Sequence, residues 1–119
     1  MRRRIIALGV VVLLLTSLPI YAMAYSSRTL AIMPGLNFEG TTAKCSLSVS
    51  GYSSTDSIEA VIKLWDGNSC LETWTKSGTG FLMFNDTHRV NRNREYTLTV
   101  DVEINDISKP TVSISKRCE

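Results

Sequence analysis

Three cysteines and one histidine are the side chains best suited to covalent or metal chemistry: Cys45, Cys70, Cys118 and His88. A zinc site needs about four Cys, His or carboxylate ligands at short spacings, and these residues show no such spacing. Cys70 and His88 could meet in space as a nucleophile and its base, but no catalytic motif surrounds either of them. The sequence therefore predicts no catalytic, metal-binding or cofactor-binding residues and no cofactor, and a small secreted hydrolase or redox enzyme is a distant alternative.

Acidic side chains are the other candidates for chemistry. Asp86 lies two residues before His88, a spacing that is common by chance. Four further acids are spread over the predicted strands, which is typical of a solvated sheet surface: Glu59, Glu72, Asp101 and Glu103. Weak calcium binding at Asp101, Glu103, Asn105 and Asp106 is the alternative, because calcium prefers such oxygen ligands.

The first 24 residues have the form of an export signal. Three arginines, Arg2 to Arg4, precede the apolar run Ile5–Leu15, and Ala22-Met23-Ala24 offers small residues at a cleavage position. This order predicts a signal helix over 1–24 that is cleaved after Ala24. The alternative is an uncleaved anchor, since Ile5–Ala24 is about long enough to span a bilayer.

Charge and length limit the partners and the number of domains to expect for the predicted exported part, residues 25–119. Three of the 13 Lys and Arg residues lie in the signal and none of the 11 acids do, so ten basic side chains face eleven acidic ones. A nearly neutral chain without a basic run gives no reason to expect nucleic acid as a partner, or a membrane beyond the signal segment. The length suits one small domain.

Apolar and polar residues alternate with a period of two through segments 43–50, 57–64, 95–104 and 110–116, and 80–84 is a shorter apolar run. Such alternation is typical of half-buried antiparallel strands. It predicts an all-β, antiparallel β-sandwich of immunoglobulin-like type over 43–119. Residues 25–42 are predicted to be an N-terminal arm, with a short edge strand at 29–33 and a turn at Pro34-Gly35.

The stretch LWDGNSCLETW predicts a hairpin that contains both tryptophans. A loop at 66–69 pairs Trp65 with Cys70, Leu64 with Leu71 and Lys63 with Glu72. Trp65, Trp74 and Val61 then point outward as a possible binding face. A one-residue shift would turn Glu72 inward, which is costly for an unpaired carboxylate. A bulge after Leu71 would instead bring Trp74 inside, and the sequence leaves this open.

The same strand parity bears on the cysteines. Outside the cytoplasm a disulfide is expected, and an odd count leaves one thiol over. Cys45 and Cys118 each lie on the side of their strand that carries the inward-facing apolar residues. We therefore predict a Cys45–Cys118 disulfide, with Cys45–Cys70 as the second choice. Cys70 is then the free or intermolecular thiol.

Two resemblances support the fold. VNRNREYTLTV, with Val90 before a polar turn and Tyr96 entering a strand, resembles the tyrosine corner of immunoglobulin-like and fibronectin-type sandwiches. Leu98 stands where the immunoglobulin pattern has a cysteine, so the usual bridge between the sheets is not expected.

The chain from Cys45 to Val100 is also similar to small secreted single-domain β-sandwich proteins of Gram-positive bacteria. The shared scheme is C-x-x-x-V, I-x-A-x-I-x-L-W, W-x-x-S-G and V-x-x-x-x-x-Y-x-L-T-V. This resemblance implies secretion and a β-sandwich, and it brings no catalytic residues.

These observations lead to one expectation of function. We expect a secreted, non-catalytic module that binds a protein or glycan on the cell surface or in the medium. The alternative is a disulfide-linked assembly component that uses Cys70.

Overall fold

The computed structural model describes residues 29–119, so the predicted signal helix and its cleavage site lie outside the described residues. That part of the chain folds into eight strands and contains no helix that could cross a membrane. The strands are β1 (Ala31–Glu39), β2 (Thr42–Ser50), β3 (Ser57–Asp66), β4 (Ser69–Thr79), β5 (Phe81–Arg89), β6 (Arg94–Ile104), β7 (Ile107–Ser108) and β8 (Val112–Cys118).

The strands form two layers of antiparallel sheet. One layer has the order β1-β2-β5, and the other has the order β4-β3-β6 with β8, and the short β7, on the far side of β6. Strands β4 and β5 pair only at Thr79 and Phe81, on either side of Gly80. The chain passes from one layer to the other at this corner. The predicted antiparallel β-sandwich is therefore confirmed.

The core lies between the layers and uses the residues that the alternation placed inward. Leu64, Ile62 and Ala60 of β3 are fully buried against β6. The buried apolar residues run from Leu36 to Cys118 and form one cluster. The buried side chains of the described residues therefore form one continuous core.

The tyrosine corner is present as predicted. Tyr96 is buried, and its hydroxyl accepts a hydrogen bond from the Asn91 amide at 2.8 Å and donates to the Asn91 carbonyl oxygen at 3.3 Å. The ring packs against Phe38 with 5.9 Å between centroids. Leu98, at the position of the missing cysteine, is a buried core residue. The side chain of Tyr96 thus ties the bend before β6 to the core.

The start of the sandwich differs from the prediction. Pro34 and Gly35 lie inside β1, opposite Leu47 and Ser46 of β2, and form no turn. Proline is tolerated because β1 is an edge strand that needs to donate hydrogen bonds on one side only. A Cβ on Gly35 would meet the Ser46 hydroxyl, so glycine makes room for that side chain. Residues 31–39 of the predicted arm 25–42 therefore belong to the sandwich.

A buried carboxylate organises the loop between β2 and β3. Asp56 is 8% exposed and accepts hydrogen bonds from the Ser53 amide at 3.0 Å, the Ser53 hydroxyl at 3.1 Å and the Asn105 amide group at 3.1 Å. Asn105 follows β6, so the contact joins two loops at one end of the sandwich. The hydrogen bond from Asn105, followed by that from the Ser53 backbone, lowers the pKa of Asp56 below its ordinary value of 3.8.

We expect this carboxylate to make folding sensitive to acid. Because the pKa of Asp56 is lower in the folded state, its stabilising contribution is complete above about pH 3.8 and is lost as the pH falls through the lowered value. Between pH 7 and pH 2.5, urea unfolding should show a larger loss of stability for the wild type than for Asp56→Asn. The exposed turn residue Asp106 supplies the control, since Asp106→Asn should keep the wild-type pH profile. Equal slopes for wild type and Asp56→Asn would contradict the prediction.

Candidate functional site

The hairpin β3–β4 carries the predicted binding residues, and its register is partly as expected. Trp65 pairs with Cys70 as predicted, but Asp66 also pairs with Ser69, so the connection is the two residues Gly67 and Asn68. Beyond this the register shifts, and Leu64 lies opposite Glu72 rather than Leu71. Leu71 is the extra residue of a β-bulge, so the predicted pairs beyond Trp65 and Cys70 are wrong.

After the bulge, each residue of β4 faces the side of the sheet opposite to the one predicted. Glu72 now lies opposite buried Leu64, on the side of the sheet that faces the other layer. Its carboxylate is not left without a partner, because Oε1 lies 3.4 Å from Nδ1 of His88 on β5. Both side chains are partly exposed at the open edge of the sandwich. The cost expected for an unpaired buried carboxylate therefore does not arise.

As a result, Trp74 points inward, so the prediction that it forms part of the outward binding face is wrong. It lies opposite Ile62, packs on the core and contacts Phe84 of β5 with 5.2 Å between ring centroids. Aromatic rings at this distance add favourable packing. Trp74 and Phe84 therefore help to close the edge between β4 and β5, next to the Glu72–His88 pair.

Trp65 points outward, as predicted. It is half-buried, and its indole Nε1 donates a hydrogen bond to the Thr99 hydroxyl of β6 at 2.9 Å. The Lys63 ammonium lies 5.9 Å from the ring centroid. These two contacts fix the ring on the outer face of the four-stranded layer.

The surroundings of Trp65 are rich in hydroxyl groups. Thr97 of β6 lies beside Trp65 and shares a hydrogen bond of 2.8 Å with Ser115 of β8. Val61 lies on the same face, between Thr75 and Asp101. We call this surface the Trp65 face, defined by Val61, Lys63, Trp65, Thr97, Thr99 and Ser115. Of the three residues predicted to form the binding face, the structure brings together Trp65 and Val61 and excludes Trp74.

The predicted Cys45–Cys118 disulfide is wrong, because all three cysteines are free thiols. Both residues are buried, as the alternation within their strands predicted. Alternation does not determine, however, how far along the sandwich each residue lies. Cys118 donates a hydrogen bond to the Gly40 carbonyl oxygen at 3.3 Å, at the β1–β2 turn. Cys45 lies three residues into β2, about 10 Å further along, opposite Leu36 and Asp86. A disulfide needs Cα atoms within about 7 Å.

Cys70 is the exposed thiol, and it does not pair with Cys45 either. Its Sγ lies 3.4 Å from the Thr73 hydroxyl, on the outer side of β4. His88 contacts Glu72 from the inner side of that strand, so the register separates Cys70 from His88 by the sheet. Asp101 accepts from the Thr111 hydroxyl, and the Asn105 side chain is bound to Asp56 and Ser57. Within residues 29–119, no group of three or more His, Cys, Asp or Glu side chains is placed to hold a metal.

Thiol reactivity should separate the three cysteines. Burial, and then the charge of Asp86, raises the pKa of Cys45 to about 11, which suppresses its reactive thiolate at neutral pH. Ellman's reagent should therefore modify one thiol of the native protein within minutes and three after unfolding. Cys70→Ser should remove the fast reaction. Two or more fast thiols in the native protein, or fast reaction in Cys70→Ser, would contradict this assignment.

The outer face of the three-stranded layer is a surface that the sequence interpretation missed. A surface cavity of about 370 Å³ is lined by Asn37, Lys44, Ser46, Asn85 and Thr87, together with Cys45 and Asp86. Toward the start of β1, Met33 and Met83 lie on either side of Ser48, and both are 65% exposed. The signal was present in the sequence: in FLMF, Phe81 and Met83 alternate with the buried Leu82 and Phe84.

Comparison with known proteins adds little to this geometry. No protein-family model matches the chain, and no curated protein matches its sequence. Among solved structures, the chain is similar to catalytically inactive OgpA from Akkermansia muciniphila in complex with an O-glycopeptide (glycodrosocin) substrate, with 9% identity and a TM-score of 0.48. The match covers 76% of this chain and 28% of that chain. A likeness at this level bears on neither activity nor ligand.

Proposed function

We propose that this protein is an exported, non-catalytic β-sandwich that binds a protein or glycan of the cell surface or medium through the Trp65 face. The observation that carries the proposal is the position of Trp65. The core is complete without this ring, which lies on the outer face beside Lys63 and several hydroxyl groups. A tryptophan in such a position can stack on a sugar or anchor a protein partner.

The contacts of Trp65 favour binding for a second reason. The hydrogen bond from Nε1 to Thr99 holds the ring in one orientation before any ligand arrives. A ring that is already ordered loses less conformational entropy on binding than a mobile one. Neighbouring hydroxyls at Thr97 and Ser115 could exchange their mutual hydrogen bond for bonds to a ligand.

Capture from the producing culture tests this function. Immobilised protein, incubated with a surface extract and with spent medium, should retain a component that Trp65→Ala retains at least about tenfold less, since interface tryptophans commonly contribute 2 kcal/mol or more. The matched control is Thr75→Ala on the edge strand β4, beside Val61 and away from the ring. Equal retention by wild type and Trp65→Ala, or no specific retention by the wild type, would contradict the proposal.

A second candidate function rests on Cys70. We propose as the alternative that Cys70 links two chains, because it is the exposed thiol and lies next to the hairpin turn. A non-reducing gel of the exported protein should then show a dimer that disappears with reductant and in Cys70→Ser. A band of monomer size alone would remove this alternative.

A further inference from the structure

The exposed large apolar side chains of the described residues are concentrated at one end of the sandwich. They are Met33, Tyr52, Phe81, Met83 and Ile107, with exposed fractions from 42% to 65%. We call this the Tyr52 end. It consists of the start of β1, the 51–56 loop, the Gly80 corner and the 105–107 hairpin.

Strand directions place all five residues there. Phe81 opens β5 opposite Ser50, the last residue of β2, and Met33 and Met83 lie one row further along, on either side of Ser48. Tyr52 follows β2, and Ile107 follows the turn after β6. The opposite end differs in character, since its exposed side chains include Glu39, Arg92, Arg94 and Glu119.

Backbone hydrogen bonds also connect the loops of the Tyr52 end to one another. The Gly51 amide donates to the Gly80 carbonyl oxygen at 2.9 Å, and the Gly80 amide donates to that of Asp56 at 2.7 Å. The Asn105 amide donates to the Ser57 carbonyl oxygen at 2.8 Å. Adjacent loops are thus tied together by backbone hydrogen bonds, and the apolar side chains project from a fixed base.

We propose that the Tyr52 end seats in the interfacial layer of a lipid bilayer. The N-terminal sequence indicates this occupant: the segment Ile5–Ala24, which begins with the apolar run Ile5–Leu15, joins β1 at this end through the six residues 25–30. Those six residues span at most about 20 Å. While the run lies in the membrane during export, the Tyr52 end is the part of the domain held closest to the lipid.

The side chains suit that layer. Phenylalanine, isoleucine and methionine can insert below the headgroups, and tyrosine is favoured at the interface itself. The Lys109 ammonium lies 5.1 Å from the Tyr52 ring centroid, and a lysine there can reach a lipid phosphate while its stem stays in apolar contact. After cleavage, the same side chains give the exported chain a reversible affinity for the membrane.

The charges at this end indicate what kind of adsorption to expect. Asp106 and Lys109 both lie near Ile107, and within residues 29–119 no basic cluster lies at this end. The attraction of the Tyr52 end to the bilayer is therefore apolar rather than electrostatic. It should be as strong on zwitterionic lipid as on anionic lipid, and it should change little with salt.

Vesicle flotation tests the proposal on residues 25–119, which contain the buried cluster from Leu36 to Cys118. The wild type should float with phosphatidylcholine vesicles. Phe81→Ser combined with Met83→Ser should partition at least about tenfold more weakly, because two apolar side chains no longer leave water. Val61→Ser, which removes an apolar side chain from the Trp65 face, is the control and should bind as the wild type does. Urea unfolding curves that show each variant folded under the flotation conditions would establish that unfolding is not the cause.

Brominated lipid supplies a second readout. A Phe81→Trp variant should show additional fluorescence quenching by vesicles of brominated phosphatidylcholine, whereas the native Trp65, near the opposite end, should not be quenched. Failure of the wild type to float, equal flotation of the double variant, or binding that requires phosphatidylglycerol would overturn the proposal. A wild-type dimer that becomes a monomer in the double variant, without vesicle binding, would show that a second copy covers this end instead.

Discussion

Leu64→Ala should lower the free energy of unfolding by about 3 kcal/mol, a typical cost for truncating a fully buried leucine. Leu64 is 0% exposed and lies between Glu72 of β4 and Leu98 of β6, where the two layers face each other. Truncation would leave a cavity in the middle of the core. In a domain of this size, the loss is a large part of the total stability.

The control for this substitution lies on the same strand. Val61 has the opposite parity and is half-buried on the Trp65 face, so Val61→Ala should cost about 1 kcal/mol or less. Urea unfolding at neutral pH measures both, with unchanged denaturant dependence as the check on two-state behaviour. A cost for Val61→Ala equal to that for Leu64→Ala would mean that the inward and outward faces of β3 are misassigned.

Gly80→Ala should also destabilise the protein by about 3 kcal/mol, because this glycine closes the corner between the layers. Its φ is +75°, a conformation that costs an L-residue roughly 1–2 kcal/mol. A Cβ would also lie 2.6 Å from the Ser54 carbonyl oxygen and 2.9 Å from the Ser54 Cα. These are backbone atoms of a tied loop, and displacing them adds a steric cost of about 1–3 kcal/mol.

Gly67 offers a matched control for this second prediction. It has a similar φ of +60° in the β3–β4 turn, but a Cβ there would meet no atom within 4 Å. Gly67→Ala should therefore cost only the backbone strain, about 1–2 kcal/mol. The difference between the two variants, measured by thermal or urea unfolding, isolates the contact with Ser54. If both variants were equally stable, the close approach at the Gly80 corner would be disproved.

The strands and the tyrosine corner could be predicted because their signals are local. Alternation within β2, β3 and β6 identifies the buried side of each strand, and the spacing of Val90 and Tyr96 identifies the bend. Pro34 misled the interpretation for a physical reason. Proline breaks strands in general, but it is accepted at an edge, and being at the edge is a property of the whole sheet.

The orientation of Trp74 could not be predicted because it depends on a bulge. The bulge at Leu71 turns Glu72 toward the other layer, where its carboxylate stays partly exposed and lies 3.4 Å from His88 of β5. That contact joins strands whose relative register is not written in either segment. The disulfide prediction failed for the same reason. Alternation within each strand gave the correct, buried side for Cys45 and Cys118, but it did not give the distance between them along the strands.

One spectrum tests the central claim most directly, which is that the bulge divides the two tryptophans between a binding face and the core. In ¹⁵N-labelled protein, Trp65 and Trp74 each give one indole N–H signal, which Trp65→Phe and Trp74→Phe assign. On addition of the surface fraction retained in the capture experiment, the Trp65 signal should shift or broaden while that of Trp74 stays in place. A shift of the Trp74 signal alone, with Trp65 unchanged, would contradict the account.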